Sequence, residues 1–358
     1  MIRRWLRRLA AVLGGLGGGL LLAEAIARVS AGDSVETFLW SGAQPPPKGM
    51  FRPSLSLMSE PTPGFTGTLS SLGFDVPVRI NEFGLRGGAP GGGPYWLAVG
   101  DSFTMALQVR EEDTFEVGLG PLIHAEVLNG GVNTYATWQS TQRYREVADK
   151  VDVDGVILVY FLGNDLLDNA RQVGGLGKPL PAEALHPRPT KRPDWSILDR
   201  DSFLYAYVQV ALRRRELRAD PKAAQVLRDQ FAIHTPAGRA VLDKLLIVSA
   251  LALTQIRDEA ESRGDRLVVA VAPAVHTVDP AMLDLLTAEL AVGEVDVDAP
   301  RLGLLAVTAR LGIATCDLTP PLAAAVADGR KPYLRFDGHW SSAGHAVVAE
   351  TLAGCIGK

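Results

Sequence analysis

Apolar residues fall in two rhythms along the chain. From Tyr95 onward, short apolar runs at 95–99, 127–128, 156–162, 267–272 and 313–316 are separated by longer stretches with helical spacing. Those stretches lie near 114–123, 140–150, 237–263, 299–311 and 343–354. Short apolar runs bounded by turns read as buried strands, and their alternation with helices predicts a parallel sheet covered on both faces. No internal repeat is visible. The expected fold is therefore α/β, with three layers.

The segments before and within this pattern differ in character. Residues 51–94 are rich in Gly, Pro and Ser, with one alternating run, Val76-Pro77-Val78-Arg79-Ile80, and predict an irregular, strand-containing lead-in. Residues 29–50 read as a spacer stiffened by Pro45-Pro46-Pro47. An insertion at about 166–235 opens with a loop carrying Pro179, Pro181, Pro187, Pro189 and Pro193. It continues with a helix over 202–218 that reaches Arg213-Arg214-Arg215 near its end. Basic residues there suit the helix dipole. A cover over a site, or a surface resting on anionic headgroups, are the sharper alternatives. The organisation is thus a leading helix at 1–28, spacer and lead-in at 29–94, and the main domain at 95–358.

Composition narrows the classes. The chain has 358 residues, 47% hydrophobic and 21% charged, which excludes a disordered chain. Its formal charge is −4, and beyond residue 28 the balance is 31 basic to 39 acidic residues. That acidic body has no electrostatic footprint for nucleic acid. Two cysteines, Cys316 and Cys355, exclude a disulfide scaffold and the thiolate zinc patterns; whether they pair is open at this stage. No metal or cofactor is expected.

At the amino terminus Arg3, Arg4, Arg7 and Arg8 precede an uncharged stretch from 9 to 23, closed by Glu24 and Arg28. A positive head before an apolar run is an export signal, with the arginines held on the cytoplasmic side. Ala23-Glu24-Ala25 and Ala25-Ile26-Ala27 both have the small-x-small form of a cleavage site, so a cleaved secreted form is one fate. The favoured expectation is an uncleaved membrane anchor, with the main domain on the extracytoplasmic side.

Ligands of parallel α/β sheets collect at the carboxyl ends of strands, and three polar clusters fall at such places. Gly100-Asp101-Ser102-Phe103-Thr104 follows the run at 95–99, where a serine in a tight turn can expose its hydroxyl. Gly163-Asn164-Asp165 follows the run at 156–162, and an Asn amide there can donate to a developing oxyanion. Asp337-Gly338-His339-Trp340 precedes the last helix, and in a locally extended chain residues two apart face the same way, so Asp337 would orient His339. Each cluster alone is an ordinary turn. Together they supply nucleophile, oxyanion donor and acid–base pair for acyl transfer through a serine ester. His345, six residues after His339, reads as structural; His124, His186, His234 and His276 lack such context.

These motifs resemble those of the SGNH/GDSL hydrolase superfamily, in its membrane-anchored bacterial branch. Gly100-Asp101-Ser102 is similar to the first block, Gly163-Asn164-Asp165 to the third, and Asp337-Gly338-His339 with Gly344-His345 to the last. Asn81-Glu82-Phe83-Gly84-Leu85-Arg86-Gly87 and Glu24-Ala25-Ile26-Ala27-Arg28 resemble further segments of that branch. The likeness covers about 76–170 and 330–350. It implies a flavodoxin-like three-layer sheet without a metal, with Ser102 as nucleophile, His339 as general base then acid, and Asp337 orienting it. The implied oxyanion hole uses the Ser102 amide, the Asn164 side chain and an amide of the second block, Asn129-Gly130-Gly131-Val132-Asn133-Thr134. There Thr134 stands where the superfamily often has its donor glycine, with Gly131 as the alternative. The Asp337–His339 spacing is one residue shorter than the commoner form, as in relatives acting on polysaccharide acetyl groups.

The function this implies is a serine esterase acting on an acyl ester, such as O-acetyl groups of a cell-surface or exported glycan. Acyl transfer to a sugar hydroxyl by the same triad, and a catalytically silent envelope scaffold, are the alternatives. The expected partners are that ester and the bacterial membrane.

Overall fold

The computed structural model describes residues 2–30, 46–71, 74–175, 202–219, 228, 231–334 and 337–357. The proline-rich loop of the insertion lies outside the described residues, as does most of the spacer.

The main sheet has five strands, all parallel: β5 (Tyr95–Val99), β6 (Glu126–Asn129), β7 (Gly155–Phe161), β8 (Arg266–Ala272) and β9 (Ala314–Asp317), in the order β6-β5-β7-β8-β9. It is the expected three-layer α/β arrangement. Side chains along a strand alternate between faces, and here both faces are apolar. Leu97, Val99, Val156, Leu158, Tyr160, Val269 and Val271 point into one core. Trp96, Ala98, Ile157, Val159, Val268 and Ala270 point into the other. A strand buried on both faces has no polar side to show, which is why these segments read as continuous apolar runs.

The helices that cover the sheet carry matching faces. Numbered along the chain they are α1 (Ile2–Ser30), α2 (Ser102–Met105), α3 (Phe115–Ile123), α4 (Thr137–Ala148), α5 (Asp165–Gly175), α6 (Phe203–Ala219), α7 (Arg239–Arg263), α8 (Val275–Val278), α9 (Pro280–Leu290), α10 (Ala299–Arg310), α11 (Thr319–Ala327) and α12 (Ser342–Ile356). Tyr144 of α4, Leu166 of α5, Leu253 of α7 and Leu304 of α10 close the first core. Phe115 of α3, Leu322 of α11 and Val348 of α12 close the second. Cys316 of β9 and Cys355 of α12 form a disulfide with Cα atoms 5.8 Å apart, tying the edge strand to the last helix. Five helices among the described residues, α2, α5, α8, α9 and α11, are additional to those expected from spacing.

The lead-in folds as two antiparallel hairpins, β1 (Phe51–Ser54) with β2 (Met58–Pro61) and β3 (Thr66–Ser71) with β4 (Phe74–Arg79). The alternating run does what its pattern predicts. Val76, Val78 and Ile80 face inward and pack with Leu69 and Met50 against Met105, the last residue of α2, and Leu107 beyond it. The lead-in therefore buttresses the loop that follows β5.

α1 is apolar, exposed over residues 3–22, and long enough to cross a membrane.

Candidate active site

Strand order reverses at β5, the kind of switch point at whose carboxyl end ligands of parallel sheets collect. Ser102 follows β5, the segment Gly131–Thr134 follows β6, and Asn164 follows β7, so three neighbouring strands deliver three of the expected groups to one edge.

Ser102 begins α2, a single turn. Asp101 caps it, its Oδ1 accepting from the Phe103 amide at 2.9 Å. The chain leaves through Ala106, which adopts a left-handed conformation with φ 53°. A buried Arg86 guanidinium holds that exit, donating to the carbonyls of Met105 (2.8 Å), Ala106 and Val109 (2.5 Å). Arg86 comes from a loop shaped by Asn81, whose Oδ1 accepts from the amides of Phe83 and Leu85, each at 3.0 Å.

His339 Nε2 stands 2.7 Å from Ser102 Oγ. Its Nδ1 is hydrogen-bonded to Asp337 Oδ1, which also accepts from the His339 backbone amide at 3.2 Å. The chain between them is not extended, as simple alternation predicts. Gly338 has φ +80°, a left-handed turn that folds the carboxyl back under the ring, and a β-carbon there would be strained. The turn accounts for how a two-residue spacing suffices. Gln108 joins the pair: its Nε2 lies 3.5 Å from Asp337 Oδ2 and 3.1 Å from His339 Nδ1. Phe103 packs on the imidazole, with ring centroids 4.8 Å apart.

The side chains of Asp337 and His339 are 10% and 23% exposed, so water screens their attraction weakly. Burial works against charge on both. The mutual attraction and hydrogen bonding outweigh it, lowering the Asp337 pKa and raising that of His339. The arrangement favours a carboxylate and a readily protonated ring, and Nδ1–H donation to Asp337 leaves Nε2 free to accept the serine proton.

The expected oxyanion groups lie as follows. Gly131 is pressed against α2; a β-carbon on it would lie 2.4 Å from the Met105 nitrogen. Its amide already donates to Asn129 Oδ1 at 3.1 Å. Thr134 is exposed and adopts φ 70°, a strained choice for a β-branched residue. Asn164 is partly buried; its side chain faces the carboxyls of Asp101 and Asp168, and its Oδ1 has no hydrogen-bond partner among the described residues. Behind it Asp165 is buried, with Oδ2 accepting from the Phe161 amide at 2.8 Å. Burial raises the pKa of Asp101, and burial with the Asp101 charge raises that of Asp165.

His345 is buried, accepts from the Phe115 amide at 3.2 Å through Nδ1, and stacks on Phe115. Burial and the nearby Arg86 charge push its pKa down to about 3. It is a neutral structural histidine. His234 and His276, given no role from sequence, meet through their Nε2 atoms at 3.3 Å. Among the described residues no group of three or more His, Cys, Asp or Glu could hold a metal. Sequence reasoning missed Gln108, Arg86 and Asn129. Arg86 and Asn129 lay inside segments noted for their resemblance, but Gln108 carried no local signal.

The carboxyl-terminal part of the chain, residues 244–358, matches a family model described as "ALGX: SGNH hydrolase-like domain, acetyltransferase AlgX". That segment holds Asp337 and His339, while Ser102 and Asn164 lie before it. No curated protein matches the chain. Among solved structures, a member of the lipolytic protein G-D-S-L family from Veillonella parvula DSM 2008 is 12% identical, with 73% of this chain and 96% of that one covered and a TM-score of 0.39. An acetylxylan esterase from Geobacillus stearothermophilus, solved as a catalytic mutant, is 15% identical over 75% of this chain and 96% of its own, also with a TM-score of 0.39. The five-stranded parallel sheet gives the chain an α/β fold, and over residues 244–358 the chain is similar to an SGNH hydrolase-like domain.

Proposed function

We propose that this protein moves an acyl group through an ester on Ser102. The observation that carries the reading is His339, with Nε2 2.7 Å from Ser102 Oγ and Nδ1 held by Asp337. His339 takes the Ser102 proton as Oγ attacks the ester carbonyl, and the tetrahedral intermediate gathers charge on its oxygen. The amides of Ser102 and Thr134 and the Asn164 side chain receive that charge. Thr134 is preferred to Gly131, whose N–H is engaged with Asn129. Collapse expels the alcohol, protonated by His339, and leaves the acyl-enzyme. A second nucleophile, deprotonated by His339, then releases the acyl group and restores Ser102.

In the first reading that nucleophile is water and the protein is an esterase, with O-acetyl groups on a cell-surface or exported glycan as substrate. The second reading is transfer to a sugar hydroxyl, favoured by the acetyltransferase named in the family matching residues 244–358. The site lies outside the cytoplasm, tethered by α1. The arginine-headed apolar helix supports this, as does the Cys316–Cys355 disulfide, a bond that persists in oxidising compartments.

The test is labelling of the purified full chain with a fluorophosphonate, followed by acetate release from an aryl acetate and an acetylated glycan, with and without an unacetylated glycan as acceptor. Labelling that Ser102→Ala abolishes, together with turnover, is expected. Acetyl groups appearing on the acceptor select transfer. An unlabelled serine and no turnover would leave the scaffold reading.

A further inference from the structure

The carboxyl-terminal end of α1 does not finish in open space. Glu24 reaches the start of α6, a helix 178 or more residues further along the chain. Its Oε2 accepts from Ser202 Oγ and from the Leu204 amide, both at 2.9 Å, and its Oε1 accepts from the Phe203 amide at 3.0 Å. Ser202 Oγ in turn accepts from the Tyr205 amide at 3.1 Å. The first-turn N–H groups of a helix have no partner within it. Here those of Phe203, Leu204 and Tyr205 are satisfied by the Glu24 carboxylate and the Ser202 hydroxyl, with the negative charge at the favourable end of the dipole. Arg28 adds to the contact: its Nε pairs with Glu24 Oε1 at 2.8 Å, and its guanidinium lies 5.1 Å over the Phe203 ring. Ala27 is buried beside them.

Both small-x-small sequences, Ala23-Glu24-Ala25 and Ala25-Ile26-Ala27, run through this contact, and cleavage after Ala25 or Ala27 would remove Glu24. We propose that residues 2–30 stay in the working protein, with α1 serving as the docking partner of α6 and Glu24 as the clasp between them. The proposal rests on the reading of α1 as a membrane anchor and adds to it: the anchor positions the insertion as well as tethering the domain. The remainder of α1, including Leu13, Leu16, Leu20 and Leu21, is exposed and left for the bilayer.

The test uses the full chain produced in a bacterial host, extracted from membranes in mild detergent, as wild type, Glu24→Gln and Glu24→Ala. Intact mass gives the mature amino terminus, and limited trypsin digestion follows cleavage at Arg214 and Arg215 of α6. The wild type should keep Glu24. Glu24→Ala should speed cleavage in α6 roughly fivefold, the effect of losing a typical cap, while Glu24→Gln, which keeps one acceptor oxygen, should fall between. A mature chain starting at or beyond residue 25 would overturn the proposal, as would trypsin rates unchanged in both variants. Should Glu24→Ala fail to accumulate, the Gln variant alone carries the comparison. Fluorophosphonate labelling of Ser102 in the same samples keeps the two readings apart: loss of labelling in the wild type sinks the proposed chemistry and leaves the clasp standing.

Discussion

Asn129 holds the serine turn in place through Thr104: its Nδ2 donates to the Thr104 carbonyl at 2.7 Å. The same side chain accepts from the Gly131 amide at 3.1 Å, and its backbone carbonyl accepts from the Arg86 amide at 3.0 Å. One residue at the end of β6 thus joins α2, the loop that follows β6, and the lead-in segment. Asn129 is buried, so water does not compete for these bonds, and losing one leaves a polar group unsatisfied.

Asn129→Asp keeps the acceptor for Gly131 but replaces the donor to Thr104 with an oxygen facing a carbonyl oxygen. Asn129→Ala loses both bonds. Each should cost about 1–3 kcal/mol of stability, with Asp the worse, and each should lower kcat more than it changes KM because the serine turn moves. Denaturant unfolding with ester kinetics on the same preparations checks this. Lowered stability with undiminished kcat would make Asn129 a structural residue only.

The pH profile follows from the Asp337–His339 pair. His339 must be neutral to accept the serine proton, and its pKa is raised above the ordinary 6.5 by Asp337 against the effect of burial. The acid limb of kcat/KM should therefore have its midpoint above 6.5. Asp337→Asn removes the charge that raises it while burial still disfavours the imidazolium, so the limb should move to lower pH as the plateau falls. His339→Ala should abolish turnover altogether. A midpoint unchanged in Asp337→Asn would mean that another group sets the ring's charge.

What was legible in the sequence, and what was not, divides along physical lines. The runs at 95–99, 156–162 and 267–272 stand out because a parallel strand buried on both faces has no polar alternation to blur it. α9 and α11 were hidden by their prolines, although Pro280 and Pro320 sit in the first turn, where a helix tolerates them. Asp279, whose side chain accepts from the Ala281 amide at 2.9 Å, was a start signal for α9. Ser102, Asn164 and His339 could be picked out because each sits in a turn motif beside a strand or helix. Gln108, Asn129 and Arg86 act through backbone carbonyls and distant side chains, and such contacts leave no mark on neighbouring positions. The turn at Gly338 shows the same limit, since the backbone angle that joins Asp337 to His339 is not a matter of spacing.

Gln108 meets the Asp337–His339 pair at Nδ1 of the ring, while Nε2 faces the serine. If its amide steadies the carboxylate, Gln108→Ala should lower kcat roughly 3- to 10-fold, the order expected when about 1 kcal/mol of hydrogen bonding is lost. It should also move the acid limb, because the Asp337–His339 balance changes, and Gln108→Asn should restore neither fully for want of reach. A fall in melting temperature with an unmoved pH profile would make Gln108 packing alone.

The last prediction concerns Glu116, a buried carboxyl on α3. Burial pushes its pKa up to about 8 against the pull of the Arg86 charge. The folded chain therefore holds this proton more tightly than the unfolded chain, in which the group titrates near 4.5. A raised folded pKa gives a contribution that is complete below 4.5 and is lost as pH climbs towards 8. Glu116→Gln keeps the shape and carries no titrating proton. Its stability relative to wild type should be level near pH 4.5, rise steadily to about pH 8, and then hold constant. Thermal unfolding of both chains across that range measures it. A difference that stays flat with pH would show that Glu116 is ionised throughout in the folded protein, and that the Arg86 charge outweighs its burial.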